Sequence, residues 1–83
     1  MRLISKRARR AQISRLEEAL NIADIAVAKT HSALAWEYYS YPRSKSRAAI
    51  RKELSIARNK SMLEYEQALI RLLNAQMMLK YES

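Results

Sequence analysis

The sequence predicts an all-α protein: a long antiparallel helical hairpin hinged at Pro42 and completed by dimerisation or by a protein partner. Three observations point there. The 83 residues contain no Gly and a single Pro, so the tight turns of a multi-strand sheet lack their usual residue. Leu, Ala, Arg, Lys, Glu and Met are common, and all are good helix formers. Apolar residues recur at spacings of three and four on both sides of Pro42. A chain of this length forms one domain with a thin core, which a partner often supplements.

Residues 1–12 read as a basic N-terminal extension, 13–39 as a first helix, 40–45 as a hinge and 46–80 as a second helix. The boundary follows from Pro42, which pushes Tyr41 out of helical geometry. Around it, Ser40 to Ser46 is rich in turn formers, and Ser44 or Ser46 suits the N-cap of the second helix. A short connection between two long helices makes them antiparallel neighbours.

The first helix carries an apolar stripe through Ile13, Leu16, Leu20, Ala23, Val27, His31, Leu34 and Tyr38. The second carries Ile50, Leu54, Ala57, Ser61, Ala68, Leu72, Ala75 and Leu79. These stripes are the expected seam, and His31 is expected to pack in it. Each helix also has a second stripe. On the first it is Ile22, Ile25 and Trp36; on the second it is Ile56, Leu63, Ile70 and Met77, each seven residues after the last. A two-helix hairpin buries one face per helix, so these residues are expected to form a protein interface, in a homodimer or a hetero-complex.

No constellation for catalysis is expected. His31 is the one histidine, and there is no Cys, so a nitrogen- or sulfur-rich metal site cannot be assembled. No serine triad takes shape around His31. Without Gly there is no phosphate-cradling loop, so no cofactor is expected. The absence of Cys fits a reducing compartment, and a cytoplasmic or otherwise intracellular protein is expected. No membrane span is expected either, because Asp24 and Lys29 interrupt the apolar run of the first half.

The charge is +8, from 16 basic and 8 acidic residues, which favours polyanionic partners. Arg2, Lys6, Arg7, Arg9 and Arg10 crowd the N-terminus, and Arg43, Lys45, Arg47, Arg51 and Lys52 follow the hinge. Cations at a helix N-terminus work against its dipole, and beside free N–H groups they suit an anion. Trp36, Tyr39 and Tyr41 stand next to the second cluster and could stack on bases or anchor a protein. The expected function is therefore a non-enzymatic, basic helical binding protein that contacts nucleic acid, or a complex handling it, through both clusters. The alternative is a protein-binding regulator or inhibitor docking on a larger enzyme through its spare apolar faces and arginines. An accessory protein of a virus or mobile element would have this build. The partner is thus nucleic acid or an acidic protein surface.

Overall fold

The computed structural model describes residues 5–41 and 45–82. Two helices make up the fold, α1 at Lys6–Ser40 and α2 at Lys45–Glu82, and they pack antiparallel as a hairpin. No described residue is in a strand. The result is a rod of 58 × 19 × 13 Å. Pro42, Arg43, Ser44 and the segment before Ser5 lie outside the described residues.

Helix α1 starts earlier than the first apolar residue of its stripe. Ser5 caps it, its Oγ accepting from the Ala8 N–H at 3.2 Å. Such a cap satisfies one of the four N–H groups that a helix start leaves free. Residues 6–12 are therefore helical, and Arg9 enters the seam buried, its Nη1 donating to Gln12 Oε1 at 2.6 Å.

The seam follows a strict seven-residue repeat. On α1 one lane runs Ile13, Leu20, Val27, Leu34 and the other Leu16, Ala23, Thr30, Glu37, all buried or half-buried. On α2 the lanes are Arg51, Arg58, Tyr65, Leu72, Leu79 and Arg47, Leu54, Ser61, Ala68, Ala75. This is the spacing of a two-stranded coiled coil. Its apolar centre is Ile13, Leu72 and Ala75, with Leu16, Leu20 and Leu79 against it. The hydroxyls in the seam bond to their own helix: Thr30 donates to Ala26 O at 2.9 Å and Ser61 to Ala57 O at 2.9 Å. That removes the cost of burying them unpaired.

Four of the expected seam residues are not in it. His31, Tyr38, Ile50 and Ala57 are exposed, and Thr30, Glu37, Arg51 and Arg58 occupy the lanes instead. The seven-residue repeat sets the lane, and one continuous seam excludes the apolar residue next door.

Candidate functional site

The best-built cluster of polar side chains ties the hinge end together. Glu37, near the end of α1, is 3 % exposed. Arg47 of α2 grips it with two parallel bonds, Nε to Oε1 at 2.5 Å and Nη2 to Oε2 at 2.6 Å. Arg51 approaches the same carboxylate, its Nε 3.6 Å from Oε1, and its Nη2 donates to the Tyr41 carbonyl at 3.0 Å. Both guanidinium groups also lie over rings, Arg47 at 3.5 Å from the Tyr41 centroid and Arg51 at 4.9 Å from that of Tyr38. The fork of Arg matches a carboxylate, and its flat face suits an aromatic ring. The hydrogen bond from Arg47 holds the Glu37 carboxyl below its usual 4.5, against the opposing effect of burial; the charges of Arg47 and Arg51 add to the lowering. The same bond raises the Arg47 pKa.

This geometry reinterprets the cations at the start of α2. They oppose the dipole of their own helix, but the antiparallel turn sets them beside the C-terminal end of α1, which has no basic residue in its last turn. A cation is favourable there. Arg51 also satisfies a carbonyl at that end. Arg47 and Arg51 are thus already engaged within the chain, whereas Lys45 and Lys52 are exposed. Arg43 lies outside the described residues.

At the other end, Lys6, Arg7, Arg10 and Arg15 are exposed along α1 with no acid among them. The antiparallel packing brings Arg71 and Lys80 of α2 to the same end. Arg9 is buried there, and Arg2 lies outside the described residues. An open groove of about 260 Å³ runs along one side, lined by Arg9, Gln12, Leu16, Arg71, Asn74, Ala75 and Met78. Among the described residues no three acids or histidines gather closely enough to hold a metal ion. No helix is long and apolar enough to cross a membrane, among the same residues.

The second apolar stripes are open to solvent. Ile22, Ile25, Ile56, Leu63, Ile70 and Met77 are all exposed, Leu63 at 55 %. Trp36, Tyr39 and Tyr41 are exposed as well, Tyr39 almost completely. On α2 the stripe falls midway between seam residues, so it points directly away from α1.

Compared with known proteins, the chain matches no family model, no curated protein and no solved structure. Its own geometry therefore carries the functional argument.

Sequence reasoning passed over Glu37, the residue that organises the hinge end. A signal was present, since Glu37 is the only acid between Asp24 and Glu53 and stands ten residues before Arg47 across the hinge. A lone acid facing a basic cluster across a helical hairpin is a candidate for an ion pair.

Proposed function

We propose that this chain is a non-enzymatic helical binding protein that works by docking on protein. The supporting observation is the imbalance of its apolar surface. Among the described residues four hydrophobic side chains are buried, Ile13, Leu34, Leu72 and Ala75, and none completely, while fifteen large ones are exposed. Exposed apolar residues scattered singly are ordinary, but a continuous stripe along a helix marks an interaction surface. The partner fitted to such a stripe presents a helix of its own, so that α2 is covered on both sides. Exchanging Leu63 or Ile70 for Glu is expected to abolish docking of the partner helix on this stripe, read by co-sedimentation, with helicity by circular dichroism unchanged. A wild-type protein that captures no protein and stays monomeric at high concentration contradicts this reading.

A second reading, contact with nucleic acid, is favoured by one feature: the acid-free exposed run of Lys6, Arg7, Arg10 and Arg15. Each duplex phosphate neutralised adds about 0.9 to the log–log dependence of affinity on salt. Replacing Lys6, Arg7 and Arg10 with Gln is then expected to lower that slope by up to about 3, similarly for all sequences. Arg47→Gln changes it little, because Arg47 is held by Glu37. Titration of a labelled duplex at several salt concentrations measures both. Negligible binding at physiological salt rules this reading out.

A further inference from the structure

The charges divide the rod into three zones. Residues 16–28 of α1 and 61–70 of α2 contain no Lys or Arg, but they hold Glu17, Glu18, Asp24, Glu64 and Glu66. Every basic residue lies outside these stretches, with only Glu37, Glu53 and Glu82 for acids. The register that packs Ile13 on Leu72 and joins Glu37 to Arg47 brings the two acidic stretches side by side. They form a belt about 15–20 Å long at 1.5 Å per residue, with a basic zone on either side.

One long face joins the belt to the N-terminal basic zone. On α1, Arg10, Glu17 and Asp24 each follow a residue of one seam lane, and on α2 so do Met62 and Leu69. In an antiparallel coiled coil, positions that follow this lane share one side of the seam. The groove lined by Gln12, Arg71 and Met78 occupies the other side. Arg7 and Leu73 lie one turn from Arg10 and Leu69 on the same side. Arg7, Arg10, Glu17, Asp24, Met62 and Leu73 are exposed, and Leu69 is half-buried. This face is basic at one end, where Lys80 joins the arginines, and acidic in the middle, where Glu66 joins Glu17 and Asp24, with Met62, Leu69 and Leu73 beside them.

We infer that the occupant of this face is a second copy of the chain, antiparallel and offset along the rod. The inference rests on the reading that the chain docks on protein but goes beyond it: it uses the side of the seam that carries Leu69 and Leu73 and leaves the outer stripe of Leu63 and Ile70 open. Two copies aligned belt to belt set acid on acid and base on base. A two-fold axis beside Ser14 and Arg15 instead sets Arg7 and Arg10 of each copy against Asp24 and Glu17 of the other. Leu69 and Leu73 then meet near the axis. The contact is isologous, so it closes as a dimer and does not propagate. The overlap, about 30 Å of a rod 19 Å wide, gives a projected face on the order of 600 Å². That is comparable with the ~800 Å² per partner that a standard interface buries. The net +8 of each copy opposes any pairing, but screening over about 8 Å leaves local charge pairs to select the alignment. Both hinge ends project outward, leaving Trp36, Tyr39 and Lys45 free at opposite tips.

The test is a pair of charge reversals, one on each zone of the face. Arg7→Glu with Arg10→Glu sets acid against acid; Glu17→Lys with Asp24→Lys sets base against base. Each variant alone is expected to dimerise at least about 30-fold more weakly than wild type, from several exposed pairs reversed together. Both keep their helices, and acids near the α1 N-terminus suit its dipole. The two variants mixed are expected to form a heterodimer, because each altered zone then meets its complement. Sedimentation velocity of each variant and of the mixture gives the result. Self-association that ignores both reversals, or variants that fail to recover on mixing, overturns the offset dimer and leaves docking on protein standing. A wild-type chain that is monomeric at all concentrations overturns it too; capture of a foreign protein sensitive to Leu63→Glu then shows whether the broader reading survives. Loss of duplex binding in the Arg7→Glu, Arg10→Glu variant with dimerisation intact assigns those arginines to nucleic acid and ends the inference.

Discussion

Replacing Leu72 by Ala is expected to lower the stability of the hairpin by about 2–3 kcal/mol, the lower part of the range for a buried Leu. Leu72 is 6 % exposed and packs with Ile13 and Ala75 in the apolar cluster of the seam. Since no described side chain of this thin seam is fully buried, the space left lies close to solvent and retains little cavity, which keeps the cost low in the range. A chain of this size has a total stability of roughly 4–12 kcal/mol. For such a domain the thermal midpoint moves by about 4–8 °C per kcal/mol, so a fall of about 10–20 °C is expected in melts followed by circular dichroism. Leu63→Ala is the informative partner experiment. In a free hairpin Leu63 is 55 % exposed, and its loss costs within about 0.5 kcal/mol. A midpoint for Leu63→Ala that falls as far as that of Leu72→Ala, and does so only at high protein concentration, identifies the outer stripe as a buried face of an assembly.

The hairpin itself was legible because its determinants are local. Pro42 marks the break, the lack of Gly removes competing turns, and the apolar spacing declares helices on both sides. The register in the half nearer the hinge was not legible, and the reason lies in particular residues. Apolar spacing follows a lane only while the lane stays apolar. On α1 one lane becomes Thr30 and then Glu37, and apolar spacing steps sideways to His31 and Tyr38. On α2 the lane at Arg51 and Arg58 yields to its neighbours Ile50 and Ala57 for the same reason. Arginine can line a seam because its methylene stem packs while its head seeks a partner, and for Arg47 and Arg51 that partner is Glu37. A rule that reads hydrophobicity alone cannot see a carboxylate ten residues away. In the half containing Ile13, Leu16, Leu20, Leu72 and Leu79 the lanes are mostly apolar or small, and there every expected seam residue lies in the seam, joined by Arg9 and Tyr65.

The same cluster changes what the basic residues of α2 mean. Read along the chain, Arg47 and Arg51 sit at a helix start and invite an anion. Read in the fold, they answer the carboxylate of Glu37, the rings of Tyr38 and Tyr41 and a carbonyl at the end of α1. Whichever helix end a cation neighbours in space governs its electrostatics, and in a hairpin that can be the end of the other helix. The exposed cations at the opposite end, Lys6, Arg7 and Arg10, therefore carry more of any intermolecular role than the sequence order suggests.

Glu37→Gln is expected to destabilise the hairpin at neutral pH more than Glu53→Gln does, and to do so with a distinctive dependence on pH. Removing the carboxylate leaves two guanidinium groups facing each other with no shared anion, which is more costly than never having had the cluster. The sign of the pH effect follows from Glu37 itself. Its carboxyl titrates below the usual 4.5 in the folded hairpin, chiefly because Arg47 donates to its charged form. The unfolded chain therefore takes up this proton at a higher pH than the folded one. The stabilisation is fully present above about 4.5 and is lost as the pH falls through the lowered folded value. The gap in thermal midpoint between wild type and Glu37→Gln should stay constant from pH 7 to about 5, shrink below that and close in strong acid. Glu53→Gln, at an exposed position, serves as the control for acid effects that do not involve the cluster. Replacing the whole cluster with Glu37→Leu, Arg47→Met and Arg51→Met is expected to restore most of the midpoint or exceed it, since apolar groups of similar volume often match a buried ion pair. A gap that does not vary with pH would show that Glu37 acts by shape and not by charge, and an ion-paired hinge end would be ruled out as the source of its stabilisation.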